Sequence, residues 1–136
     1  MADNSRTTEG RCQCGGVHFR LHGALPDIKA CHCAQCRQMT SNFFSSTAVA
    51  PECLEFVADA SLGWYRSSDV AERGFCTTCG SSLFWRPLHH PRIAVSAGAL
   101  DQPTGLRTLM HIFCANKGDF YEISDGLPQY PGDDED

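Results

Sequence analysis

The chain contains no apolar run approaching the ~20 residues a membrane-spanning helix needs, and its opening "MADNSRTTEG" is too polar for a secretory signal. These absences give the expectation of a cytoplasmic protein with no membrane partner. A cluster of Lys and Arg is also missing. The formal charge is -5, yet four of the negative charges sit in the terminal "DDED", so the remainder of the chain is close to neutral. Phosphate backbones and anionic surfaces require a basic footprint, which excludes nucleic acid as an expected partner. There is no internal repeat, no low-complexity linker and no long stripe of helical period. A chain of 136 residues with none of these is expected to form one domain. That domain is placed at 11–130, between a disordered N-terminus at 1–10 and an acidic disordered tail at 131–136.

What is present is alternation. Apolar and polar residues exchange with period two in "VHFRLHG" (Val17, Phe19, Leu21), "ECLEFVA" (Leu54, Phe56), "RIAVSAG" (Ile93, Val95) and "HIFCAN" (Ile112, Cys114). Period two marks half-buried strands. "NFFSSTAVA", "GWYRS" and "SSLFWR" add β-rich pieces bounded by turn residues, and one or two turns of helix are expected around "AQCRQMT". The fold class expected is all-β, built of small packed antiparallel sheets. The longest unpatterned stretch, "ALDQPTGLRTLM", reads as a surface loop leading to His111.

The nine cysteines are an odd number in a chain expected to meet a reducing compartment, which disfavours a disulfide framework and favours metal ligation or thiol chemistry. Seven fall into groups: Cys12 and Cys14 in "RCQCGG", Cys31, Cys33 and Cys36 in "CHCAQC", and Cys76 and Cys79 in "FCTTCGSS". Both pairs end Cys-Gly, and glycine lets the chain turn with positive φ behind the second sulfur, as a metal knuckle requires. Two knuckles complete a structural four-sulfur zinc site on Cys12, Cys14, Cys76 and Cys79. The triplet keeps three sulfurs. A zinc ion on Cys31, Cys33 and Cys36 alone retains an open position, the arrangement of catalytic sites; a fourth ligand from His18, His32 or Cys53 would instead make that site structural as well.

His32, inside the triplet, is the first candidate for a general acid or base by proximity. Lys29 and Arg37 flank the triplet, and His111 is a candidate rim residue. Cys114 reads as a core residue on the face of Ile112, Cys53 as a partly exposed free thiol, and His89 and His90 as turn residues.

In order, "CQCGGVHF", "CHCAQCRQ", "FCTTCGSSLF", "VSAGALDQPTGL" and "HIFCANKGDFYEISDGLPQY" resemble the family of glutathione-dependent formaldehyde-activating enzymes, which also includes centromere protein V. The resemblance runs from about Arg11 to Tyr130. It implies a zinc-containing β-tent with two zinc ions: a structural one on Cys12, Cys14, Cys76 and Cys79 and a catalytic one on Cys31, Cys33 and Cys36. It further implies a carbon-sulfur lyase resembling S-(hydroxymethyl)glutathione synthase, acting on glutathione or a similar small thiol and formaldehyde. Lys29, Arg37, Arg107 and Lys117 are the cations available for the thiol's carboxylates. The alternative is a non-catalytic, zinc-stabilised ligand- or protein-binding module on the same fold; a second rival is thiol reductase chemistry at "FCAN".

Overall fold

The computed structural model describes residues 6–134. In chain order the elements are β1 Thr7–Arg11, β2 His18–His22, β3 Ile28–Cys31, α1 Ala34–Thr40, β4 Phe44–Val49, β5 Leu54–Ala58, β6 Leu62–Arg66, β7 Ala71–Cys76, β8 Ser82–Pro87, β9 Ile93–Ser96 and β10 Thr108–Ile112. Short 3-10 turns occupy Pro51–Cys53, Ala97–Ala99 and Cys114–Asn116. The described chain is therefore mostly β, as the alternation implies, and helix α1 stands where "AQCRQMT" was expected to coil. It divides into two compact units. Among the described residues, one takes in 6–26 together with Thr47–Gly105, the other Asp27–Ser46 and 106–134.

In the first unit β1, β2 and β5 make an antiparallel sheet in the order β1-β2-β5, and β6 to β9 form an antiparallel meander. Alternation decides what each strand buries: Phe19 and Leu21 of β2 are buried, whereas His18, Arg20 and His22 face outward. Phe84 of β8 joins the layers. Its ring meets Phe19 edge-on at 5.1 Å, Phe56 at 5.6 Å and Trp64 at 6.0 Å. Two glycines make room for these rings, since a Cβ on Gly10 would lie 2.4 Å from Phe19 and one on Gly74 2.9 Å from both Phe84 and Trp64.

The second unit pairs β3 antiparallel to β4 on one side and parallel to β10 on the other. The sheets are antiparallel as expected except for this one parallel pair. A parallel partner needs a long crossover instead of a hairpin, and the chain from Thr47 to Gly105 supplies one. Register sets His111 opposite Ala30 and Ile112 opposite Cys31. The buried residue of β10 is His111, with Ile112 half-buried, so the phase expected for "HIFCAN" is reversed. Phe113 then adopts a left-handed backbone at φ 56 and a 3-10 turn begins at Cys114, which takes Cys114 off the strand and leaves it half-buried instead of in the core.

Part of each expected disordered end is ordered. Thr7 to Gly10 belong to β1 through their pairing with β2, and Residues 1–5 lie outside the described residues. In the second unit Gly132 accepts from the Phe113 N–H, and the Asp134 carboxylate holds Lys29 Nζ at 2.9 Å. Residues 135–136 lie outside the described residues.

Candidate functional site

Two cysteine clusters form, one in each unit, each bringing its sulfurs within 4.8 Å of one another. None of the nine cysteines is joined in a disulfide.

The first cluster joins Cys12, Cys14, Cys76 and Cys79. Each pair is a tight turn closed by backbone bonds: the Gly15 N–H donates to the Cys12 carbonyl and the Gly80 N–H to the Cys76 carbonyl. Gly15 at φ 80 and Gly80 at φ 82 are left-handed, which is the freedom the Cys-Gly pattern implied. Backbone N–H groups also point at sulfur, from Val17 to Cys12 at 3.2 Å, Gly16 to Cys14 at 3.4 Å and Cys79 to Cys76 at 3.4 Å. Donors aimed at sulfur favour the thiolate. The Ser81 hydroxyl, then backbone N–H groups, draw Cys79 down to about 5, while Ser61 and the Cys79 N–H draw Cys76 down to about 7. At Cys14 the Gly16 N–H lowers the thiol, but the Cys12 sulfur and burial outweigh it and raise it to about 11. Sulfur separations of 3.6 Å (Cys12 to Cys14) and 3.7 Å (Cys14 to Cys76) match the about 3.8 Å edge of a tetrahedron with metal–sulfur bonds of about 2.3 Å. The donor set fits a closed four-sulfur metal site.

The second cluster is Cys31, Cys33 and Cys36. Cys31 closes β3, Cys33 is the N-cap of α1, and Cys36 lies buried in its first turn. The Cys33 sulfur accepts the Cys36 N–H at 3.3 Å, so the bond that starts the helix also brings these two ligands together. Neighbouring sulfurs, Cys33 first and then Cys36, push the Cys31 thiol up, and burial adds to them. Three thiolates at this spacing coexist only around a cation, and the set fits a metal ion bound through three sulfurs. Among the described residues no fourth His, Cys, Asp or Glu joins them.

The three alternative fourth ligands are placed elsewhere. His18 pairs with Glu9 at 2.7 Å and Cys53 ends a 3-10 turn, both in the first unit. His32 follows Cys31, the last residue of β3, donates its N–H to the Ile112 carbonyl and precedes Cys33, whose backbone is extended, so alternation along the chain sends its side chain to the face opposite theirs. It is fully buried. Its Nδ1 bonds the Tyr121 hydroxyl, its Nε2 lies 2.9 Å from His111 Nδ1, and His111 Nε2 lies 2.7 Å from Asp125 Oδ2. The Phe43 ring lies against the His32 ring at a tilt of 36°, with centroids 4.7 Å apart. Burial, then the charge interactions with His111 and Lys117, hold His32 down to about 4. Both ring nitrogens thus have hydrogen-bond partners, and the residue expected as an acid or base beside the sulfurs is buried. His111, expected on a rim, is buried next to it.

The expected cations divide. Lys29 is taken by Asp134, and Lys117 donates to the Gly118 and Tyr121 carbonyls at 3.1 and 2.6 Å. The Arg107 side chain is exposed, while Arg37, which follows Cys36, keeps a buried Nε with no partner among the described residues. His89 and His90 lie exposed in the turn after β8, as expected. Sequence reasoning missed Tyr121, Asp125 and Phe43. Nothing in "DFYEISDG" signals a contact with a residue near position 32, and only the recurrence of His at 111 hinted at one.

The sequence profile of the family described as glutathione-dependent formaldehyde-activating enzyme matches residues 7–116. A lyase of Schizosaccharomyces pombe, described as uncharacterized, is 35% identical over 79 residues, 57% of this chain; the matched stretch spans only 56% of that protein. A Halomonas elongata protein named for glutathione-dependent formaldehyde activation is 27% identical over 128 residues, covering 85% of this chain and 80% of its own. In fold, the chain is similar to a crystal structure of a Rhodobacter sphaeroides protein, with a TM-score of 0.61 and 20% identity over 90% of this chain and 98% of that one. The profile match takes in every cysteine of both clusters, and the chain belongs to the family of glutathione-dependent formaldehyde-activating enzymes.

Proposed function

We propose that the protein is a zinc-dependent carbon-sulfur lyase that joins formaldehyde to glutathione, or to a similar small thiol, and splits the adduct in reverse. In the forward direction the thiol sulfur bonds to the aldehyde carbon and the thiol proton ends on the former carbonyl oxygen, giving an S-hydroxymethyl thioether. The observation that carries this reading is the inequality of the two clusters: four sulfurs complete one, and three make up the other. Zinc bound at the triplet would supply Lewis acidity toward oxygen or lower the pKa of a bound thiol.

The chain's own residues divide the remaining work. Cys12, Cys14, Cys76 and Cys79 hold a structural zinc that ties the start of the first unit to the β7–β8 turn. Cys31, Cys33 and Cys36 hold the catalytic zinc, and helix α1 fixes two of these three sulfurs through its first turn. Arg37, directly after Cys36 and with a buried Nε that has no hydrogen-bond partner among the described residues, is the best-supplied cation for a carboxylate of the thiol. His32 serves from behind the strand and does not touch substrate. The odd count of nine cysteines, seven of them grouped at metal-ligand spacing, supports a reducing, cytoplasmic setting.

The test is exchange spectroscopy by nuclear magnetic resonance of formaldehyde with glutathione, with and without zinc-loaded protein. Acceleration of the exchange over the uncatalysed rate is expected. An unchanged rate with both sites loaded would remove the enzymatic reading in favour of a binding module.

A further inference from the structure

We propose that Asp125, His111 and Tyr121 are positioning residues for the Cys31, Cys33 and Cys36 triplet, acting through His32, whose ring they hold on the face of the strand opposite the sulfurs. The proposal rests on the reading that the triplet holds a metal ion, and it extends the site to residues outside the cysteine motifs.

The mechanical link is covalent. His32 is the one residue between Cys31 and Cys33, so a few backbone dihedrals set both where its ring goes and where the two sulfurs go. A ring free to turn would leave those dihedrals loose. Here the ring is fixed on every side: by Tyr121 at Nδ1, by His111 at Nε2, by Phe43 on its face, and by its own backbone N–H donating to the Ile112 carbonyl at 2.9 Å. The anchors come from three places in the second unit, namely β10, the segment before β4, and the stretch from 117 to 125.

The hydrogen bonds also have one direction. Asp125 accepts, because the hydrogen bond from His111, and then the Leu127 N–H, keep its carboxyl below the usual range. His111 Nε2 therefore donates. For neutral rings the same order runs on along the contacts, from His32 Nε2 to His111 Nδ1 and from the Tyr121 hydroxyl to His32 Nδ1. Every ring nitrogen of the two histidines has a partner in this chain of contacts. Packing alone does not require this, since an apolar side chain would fill the same volume without partners. A fully satisfied buried polar chain instead selects one orientation of the ring. Outer partners of this kind typically change metal affinity by about 10- to 100-fold when removed.

The test is an anaerobic cobalt(II) titration of the full chain, following the thiolate-to-metal and d–d bands of the two sites, beside a thermal melt. Asp125, with its side chain 45% exposed, is replaced by Ala to remove the acceptor of His111, and by Glu to restore that acceptor without the turn bond to Leu127. Tyr121→Phe removes the far end of the chain while keeping the aromatic ring. Wild type is expected to take two equivalents. Asp125→Ala and Tyr121→Phe are expected to bind the triplet's equivalent about tenfold more weakly, with the four-sulfur equivalent and the melting temperature unchanged, and Asp125→Glu is expected to recover most of the loss. Two equivalents bound as tightly in both variants as in wild type would overturn the positioning role alone. Parallel weakening of both sites with a lowered melt would overturn it too, as general loosening. A single equivalent in wild type would overturn both this proposal and the metal reading of the triplet.

Discussion

His32 Nε2 lies 2.9 Å from His111 Nδ1, across 79 positions of sequence. The contact follows from the parallel register of β3 and β10, which sets His111 beside Ala30 and so on the same face as the His32 ring. Cys31 and Cys33 occupy the other face. One short strand end thus separates a sulfur side from an imidazole side, and the two sides answer to different experiments.

Replacing Cys33 by Ser tests the sulfur side with the least disturbance. Serine is a good N-cap and keeps an acceptor for the Cys36 N–H, so helix α1 is expected to persist. Turnover of the formaldehyde–thiol adduct is expected to fall by at least about 100-fold, as removal of a group in the reacting site does, while zinc analysis finds the four-sulfur equivalent retained. Wild-type turnover in this variant would end the catalytic assignment of the triplet.

Cys76→Ser or Cys79→Ser is expected to strike the fold. Structural zinc contributes on the order of 10 kcal/mol to folding, and Cys76 is fully buried. Circular dichroism melts should show a large loss of stability, and added chelator should destabilise wild type but not the variant further. Superimposable melts would show that this cluster carries no folding energy.

Of the flanking cations, Arg37 and Lys29 should separate in steady-state kinetics. Lys29 is held by Asp134 at 2.9 Å, so Lys29→Ala is expected to leave the KM for glutathione near wild type. Arg37→Ala is expected to raise that KM by about 10-fold, on the order of 1.4 kcal/mol of binding, with a smaller change in kcat. Equal effects of the two substitutions would count against the carboxylate role of Arg37.

Gly10→Ala probes the joint between sheet layers in the first unit. The new methyl would lie 2.4 Å from the buried Phe19 ring, and overpacking of this kind costs about 1–3 kcal/mol. Urea unfolding should report that loss as a lower midpoint with an unchanged slope; an unchanged midpoint would mean the ring has room to move.

On the outer face of β2, the His18 hydrogen bond, followed by Arg20, holds Glu9 below its ordinary value of 4.5. A carboxyl lowered in the folded state adds stability above its unfolded pKa, and that part is lost as pH falls through the folded value. The stability difference between wild type and Glu9→Gln is therefore expected above pH 4.5 and to shrink toward zero at lower pH. Melting temperatures measured across that range decide it, and a difference that grows on acidification has the wrong sign.

The sequence by itself determined the elements whose causes are local. Alternation in "VHFRLHG" marks β2 because period two is what a strand with one buried face requires. The Cys-Gly pairs mark the left-handed turns at Gly15 and Gly80, and the cysteine spacing sorts seven thiols into the two clusters that form. Only the tertiary structure decided which side of β10 is buried, what Lys29 pairs with, and where His32 points its nitrogens. Those outcomes depend on partners far along the chain. His111 can turn inward, against the hydrophobic pattern, because His32 and Asp125 satisfy both of its ring nitrogens; a spacing rule carries no record of such a pairing until the parallel register brings the residues together.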